Sequence, residues 1–273
     1  LIGRKSHVNA VNLKGLTIFG DVEENFHVKA ETEIREIPQD TLIILTTKAH
    51  ETANAIKNIN KKLRNDTVIL VIQNGLGNEE TVKHITKRKC KVIRGVTMMA
   101  AEFFEPGKIQ FWNGETVIQR NEIAENIAEV FTECGLKTRL SNDIISDIWC
   151  KLIINCVVNP LTALFNVRNC EIVSETLTEV RHEIVKECLE VAKAEGISLS
   201  NKLEEEVDEK ISHYTNFSSM CQDIFKGEKT EIDFLNGKIV ELGIKHGIPT
   251  PVNEALVSFI KFLEEKNGFS RKN

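Results

Sequence analysis

Over the first 140 residues, short runs of β formers alternate with stretches of helical spacing, the pattern of an α/β domain with a mostly parallel sheet. The clearest runs are 41–47 (TLIILTT) and 67–73 (TVILVIQ). Between them Ala53, Ile56, Ile59 and Leu63 fall on one side of a helix over 49–64, giving a strand, helix, strand unit with two neighbouring buried strands. The spacing predicts a further helix over 78–88, a strand over 91–98, a hairpin of 108–112 with 115–118 turning at Asn113-Gly114, a helix over 122–133 and a short strand after Gly135.

After Asn142 only helical spacing remains, predicted over 143–158, 161–166, 174–195, 201–214, 218–226, 230–246 and 252–266. Pro160 is expected to block continuation of the first of these, Thr230 reads as an N-cap, and Gly247 with Pro249 reads as a helix stop. The chain therefore divides into an α/β domain over 1–142 and an all-helical domain over 143–273.

Composition narrows the class. With 273 residues, 41% hydrophobic, 27% charged and a net charge of −5, the chain is globular, and disordered or collagen-like readings are out. The basic run 83–94 reads as a solvated helix end and no nucleic-acid partner is expected, since the chain is acidic and only 6% aromatic. Lys151, Asn155, Asn159 and Pro160 interrupt the longest apolar stretch, 148–165, and the opening residues lack a signal-peptide pattern, so neither a membrane span nor a leader is expected. Seven cysteines without a CxxC pair read as buried thiols of a reducing, cytoplasmic setting, and seven histidines without an HxxxH pair give no metal site. No GxSxG nucleophile motif occurs. Residue 1 is Leu, the first Met is Met98, and the chain opens as if mid-strand, so it reads as a fragment of a longer product.

Candidate chemistry concentrates on the helix from Asp143. There Asp147, Lys151, Asn155 and Asn159 recur every fourth residue among Ile148, Trp149, Leu152, Ile153, Ile154, Cys156, Val157 and Val158. Such a stripe faces either solvent or a polar cavity. Its narrowness and its end at Asn159-Pro160 favour the cavity, where a partly desolvated lysine becomes a readier proton donor near neutral pH. A second candidate is Gln73-Asn74-Gly75-Leu76-Gly77, after a buried strand and before a helix, where open α/β sheets bind ligands. As a bare pattern it is weak, but Lys48 holds the equivalent position after the preceding strand; alone it reads as a solvated helix start. On spacing, Ser218 and Thr230 read as helix caps, and Glu231 and Asp233 suit a first turn.

With these residues in view, the chain resembles the ketopantoate reductase (2-dehydropantoate 2-reductase) family of NADP-dependent enzymes of pantothenate biosynthesis. The resemblance is carried by TTKAHE, QNGLGNEE, RGVTMMAAEFFEPGKI, NGETVI, DIWCKLIINCVVNPLTALFNVRN, NFSSMCQDI and TEIDFLNGKIVELGIKHGIPTPVN, in order along nearly the whole chain. It implies a Rossmann-type α/β domain joined to a helical domain with the active site in the cleft, and NADPH-dependent reduction of a small 2-keto acid, 2-dehydropantoate, to (R)-pantoate. It further implies Lys151 as proton donor; Asn155, Asn159 and Asn169 as substrate-binding; and Asn216, Ser218 and Ser219 as a substrate clamp. Cofactor contacts fall on Lys48, Asn74 and Ala101, with Glu231 facing cofactor and substrate. The family begins with a strand and a GxGxxG turn that this chain lacks. Its first residues resemble the end of the family's second strand, where Arg4 and Lys5 meet the 2′-phosphate of NADP. Two rivals stand beside this expectation: a reductase of another small 2-keto acid, and a noncatalytic remnant serving as a binding or dimerising module. A homodimer is the expected assembly of the protein.

Overall fold

The computed structural model describes residues 1–200 and 202–268. By contact it forms two units: Leu1–Thr47 with Glu51–Ile72 and Glu79–Asn142, and Lys48–His50 with Gln73–Asn78 and the chain from Asp143 onward. The division is not contiguous in sequence, because two short loops of the α/β half belong with the helices.

The α/β half runs α1 (Lys5–Lys14), β1 (Leu16–Gly20), β2 (Glu24–Phe26), β3 (Leu42–Leu45), α2 (Thr52–Ile59), β4 (Val68–Val71), α3 (Asn78–Thr86), β5 (Lys91–Thr97), β6 (Ala100–Glu105), β7 (Lys108–Trp112), β8 (Thr116–Gln119), α4 (Glu122–Glu133) and β9 (Thr138–Ser141). The main sheet has the order β3-β4-β5-β8-β9. β3, β4 and β5 are parallel, with Leu45 opposite Val71 and Val71 opposite Arg94. β4 is apolar at every position because both of its faces are covered. Ile69 and Val71 pack with Ile56, Ile59 and Val82, whereas Leu70 packs with Ile118, Ala124 and Phe131.

Three expectations are corrected, two in this half and one, for the cysteines, across the whole chain. The hairpin of 108–112 with 115–118 does not form. β7 pairs with β6 and, in parallel, with β1 in a second sheet of order β2-β1-β7-β6, while β8 joins the main sheet beside β5. The turn lies instead at Pro106-Gly107, where Gly107 takes a φ of +83°. Gly114 is needed because the Met98 and Met99 backbones pass so close that a Cβ would meet them at 2.4–2.6 Å. Arg94, within the basic run, is buried on β5 and donates to the carbonyls of Val71 at 2.8 Å and Gly95 at 2.7 Å; burial pulls its guanidinium down to about 10. The cysteines are not all buried either: Cys134 is exposed and Cys150 and Cys170 are half-buried. At the chain start, Ile2 bridges Glu31 in parallel and Arg4 then precedes α1 as its N-cap.

The helical half contains α5 (Ile144–Phe165), α6 (Thr178–Ala194), α7 (Leu203–Ser212), α8 (Ser219–Lys226), α9 (Asn236–His246) and α10 (Pro251–Lys266). α5 is the core helix, touching α6, α7, α8 and α10. Among the described residues it alone is long and apolar enough to cross a membrane, yet 72% of that apolar window is buried inside the fold.

α5 also overturns the expected break at Pro160, since the helix runs unbroken through that residue. Proline has no N–H for the carbonyl four residues earlier, that of Cys156. The amide Nδ2 of Asn236, a fully buried residue at the start of α9, donates to this carbonyl at 2.9 Å. The predicted helix over 230–246 is likewise interrupted, with a 3-10 turn at Ile232–Phe234 and α9 starting only at Asn236. Thr230 therefore caps the 3-10 turn and not α9: its hydroxyl accepts the Ile232 N–H at 3.2 Å, while its N–H and hydroxyl both donate to Glu264 Oε1, at 2.8 and 2.6 Å.

Asn236→Ala should therefore destabilise the protein by about 1–3 kcal/mol, the cost of leaving a buried acceptor unmet. Pro160→Ala in the same chain should recover part of that loss by supplying the missing helical N–H. Urea unfolding of both variants checks this; a double variant no more stable than Asn236→Ala would disprove the account.

Candidate active site

The stripe on α5 is graded in burial: Lys151 and Asn155 are half-buried, and Asn159 is 5% exposed. Thr162, one turn on, links the stripe to the next element, its hydroxyl lying 2.7 Å from Ser218 Oγ and bonding the Val158 carbonyl at 2.7 Å. Ser218 Oγ also accepts the N–H of Cys221 at 3.0 Å, so Ser218 caps α8, and Ser219, half-buried, is the helix's first residue. The residue proposed as a clamp thus has a structural task of its own.

Asn169 opens a 3-10 turn after α5 and is tied to the segment ahead of α8: its N–H donates to the Asn216 carbonyl at 3.0 Å, and that of Cys170 to Tyr214 at 2.9 Å. Arg168 fastens the same pair of segments, donating to the Thr215 carbonyl at 2.6 Å with its guanidinium 4.9 Å from the Phe217 ring centre. The Asn216 amide turns back onto the Phe217 carbonyl at 3.0 Å. Asn169 Oδ1 is buried and receives no hydrogen bond, an unmet acceptor of the sort a ligand donor would satisfy.

The two loops from the α/β half complete this unit. Lys48 Nζ donates to both carboxylate oxygens of Asp223 on α8, at 2.8 and 2.7 Å. Glu231, 5% exposed, accepts the N–H of Ala49 at 2.7 Å through Oε1 and the Asn74 amide at 3.5 Å through Oε2. Gly75, with a φ of +78°, lies against the Phe234 carbonyl, where a Cβ would come within 2.5 Å. Burial pushes the Asp223 carboxyl up from 3.8 to about 6; Lys48 opposes the rise, and Glu231 and Glu228 add to it. Desolvation exceeds the attraction to Lys48 because that ammonium is one-third exposed whereas the Asp223 side chain is 6% exposed.

One unit therefore gathers Lys151, Asn155, Asn159, Asn169, Asn216, Ser218, Ser219, Lys48, Asn74 and Glu231. Arg4 and Ala101 lie in the other unit, both exposed. Sequence reasoning passed over Asp223 and Thr162. Asp223 stands inside the quoted NFSSMCQDI stretch, but only its bond to a lysine 175 residues away marks it out.

A mixed α/β half, a helical half with a lysine and asparagines along its core helix, and homologous reductases over nearly the whole chain define an oxidoreductase. The chain belongs to the ketopantoate reductase family. Ketopantoate reductase PanE/ApbA matches residues 1–122, and the C-terminal domain of the same family matches residues 143–264. A 2-dehydropantoate 2-reductase of Pyrococcus horikoshii is 36% identical over 280 residues, covering 99% of this chain and 91% of that protein. Among solved structures, a PanE/ApbA family ketopantoate reductase from Ralstonia eutropha JMP134 superposes with a TM-score of 0.88 at 29% identity, covering 98% of this chain and 90% of that one. A D-mandelate dehydrogenase solved with NADH and anilino(oxo)acetate gives 0.90 at 26%, with 97% and 90% covered.

The Asp223 carboxyl makes a signed prediction. With its folded value raised from 3.8 to about 6, its contribution to stability is fully present below 3.8 and is lost as pH rises through 6. Between pH 4 and 7 the protein should lose roughly 2–3 kcal/mol relative to Asp223→Asn, which cannot titrate. Urea unfolding of both proteins across that range checks it; a constant difference would contradict the buried titration.

Proposed function

We propose that this protein reduces 2-dehydropantoate to (R)-pantoate with NADPH, a step of pantothenate biosynthesis, and that Lys151 is its proton donor. The observation that carries this reading is the arrangement of Lys151, Asn155 and Asn159 along one helix whose other faces are buried, beside the segment bearing Asn169, within a chain of this family. The residues fit a nicotinamide cofactor. β3 and β4 run parallel and in register, with Lys48 and Asn74 each three residues beyond the last paired positions, Leu45 and Val71. At Gly77 a Cβ would meet nothing within 4 Å, which leaves space on that side of the turn.

When bound, the reduced cofactor supplies the hydride. The protein's own groups do the rest. The Lys151 ammonium faces the keto oxygen, stabilises the negative charge that develops on it and hands over a proton to leave the hydroxyl. Asn155, Asn159 and Asn169 orient the substrate's polar groups, with Asn216 and Ser219 completing the clamp. Ser218 contributes by starting α8 at the right place. Lys48, Asn74, Ala101 and Glu231 serve the cofactor, and Arg4, with Lys5 beside it, reads the 2′-phosphate.

A second reading, reduction of a different small 2-keto acid, is favoured by the close superposition on the D-mandelate dehydrogenase. A substrate panel compared by kcat/KM separates the two, with 2-dehydropantoate expected to lead.

Lys151→Ala should lower kcat by about a hundredfold or more, the scale of losing a general acid, while Asn155→Ala and Asn159→Ala should chiefly raise the KM for the keto acid. Steady-state kinetics showing near-normal kcat in the lysine variant would remove it from the chemistry. Neutral residues at Arg4 and Lys5 should weaken NADPH far more than NADH in a fluorescence titration. Equal losses would mean that these side chains do not read the extra phosphate.

A further inference from the structure

We propose that Asp223 is the positioning residue for Lys48, fixing its ammonium beyond β3 so that the donor capacity left over points at the cofactor. The proposal rests on the reading of Lys48 as a cofactor residue.

Three observations carry it. First, the geometry is two-sided. Lys48 Nζ lies within 2.8 Å of one Asp223 oxygen and 2.7 Å of the other, which commits two of the three N–H donors and leaves one. Second, the hold extends to the next residue, because Glu231 accepts the Ala49 N–H at 2.7 Å. Two acids of the helical half thus grip two consecutive residues, one by its side chain and one by its backbone, and a four-carbon stem that would otherwise sample many rotamers is confined. Third, the pair is poorly explained as a stabilising device. The Asp223 carboxyl is raised to about 6 even with an ammonium in contact, so burying it costs more than the contact returns. An ion pair that costs stability but fixes one donor in space is what a preorganised site needs.

The charge balance says what kind of contact the lysine makes. Lys48 is neutralised by Asp223, and Glu231 adds a further carboxylate nearby. The group therefore acts as an oriented hydrogen-bond donor and not as free positive charge, which suits a hydroxyl or amide oxygen of the cofactor better than a phosphate.

The test uses Asp223→Asn, which keeps the side-chain shape, and Lys48→Met, which removes the ammonium from the other side. In competitive acetylation of the whole protein, followed by peptide mass mapping, Lys48 should react about tenfold faster in Asp223→Asn than in the parent, with other lysines unchanged. An unchanged rate overturns the hold itself, whatever Lys48 does. In kinetics with NADPH, each single variant should raise the cofactor KM about tenfold with kcat within about twofold, and the double variant should be no worse than Lys48→Met. Losses that multiply to about a hundredfold would show that Asp223 acts independently of Lys48 and overturn the proposal. If acetylation shows the hold but Lys48→Met leaves the cofactor KM unchanged, Lys48 leaves the cofactor site and the positioning role falls with it.

Discussion

A carbonyl inside α5 lacks the N–H that a helix would give it, and the helical half is organised around meeting it. The acceptor is the Cys156 oxygen, opposite Pro160, and its donor is Asn236. That amide also donates to Asn253 Oδ1 at 2.9 Å, and Asn253 is held in turn by Glu187, whose carboxylate accepts the Asn253 amide and backbone N–H and the N–H of Val252. Glu187 lies on α6, the two asparagines on α9 and α10, and the carbonyl on α5, so one buried polar chain joins four helices. Each link is nearly dry, with both asparagines fully buried and Glu187 5% exposed. In so little water every bond counts for more, and an unmet partner costs more.

What this chain secures is the second half of α5. Because the helix continues past Pro160, Asn159 stays on the same axis as Lys151, about 12 Å along it at the helical rise. Thr162 then reaches Ser218, Ser218 caps α8, and α8 carries Asp223 to Lys48. A break after residue 158 would uncouple the lysine on α5 from the start of α8. The polar residues of the site are thus set by helix continuity at a position where local chemistry opposes a helix.

Local pattern was legible where it decides structure alone. The runs at 41–47 and 67–73 and the period-four stripe at 147–159 appear as the paired strands β3 and β4 and as the α5 face. Where the path of the chain departs from the local pattern, the cause is a partner distant in sequence. Pro160 reads as a break in the sequence because nothing nearby reveals a donor 76 residues on, at Asn236. Asn113-Gly114 carries the signature of a hairpin turn, but its glycine answers a close pass of the Met98 backbone. Ser218 is legible as a cap from spacing alone, whereas the lysine that singles out Asp223 lies 175 residues away. Asp223 and Thr162 were invisible for the same reason, being ordinary helical residues until the tertiary contact exists.

The backbone by itself does not choose the substrate. TM-scores of 0.88 and 0.90 against a ketopantoate reductase and a D-mandelate dehydrogenase mean that one architecture carries more than one specificity. Discrimination then falls to polar atoms that a wrong substrate leaves unmet. An apolar mismatch costs only about 1–3 kcal/mol, whereas a site built to hydrogen-bond a substrate group rejects analogues lacking it far more strongly. Asn169 Oδ1 is such an atom, buried and without a donor. Under the proposed function, a keto acid that brings a hydroxyl can donate to it, and one that brings only methyl groups cannot. On that reading the asparagines would favour hydroxylated keto acids over purely apolar ones, through a turn that the ties from Asn169 to Asn216 and from Arg168 to Thr215 keep in place.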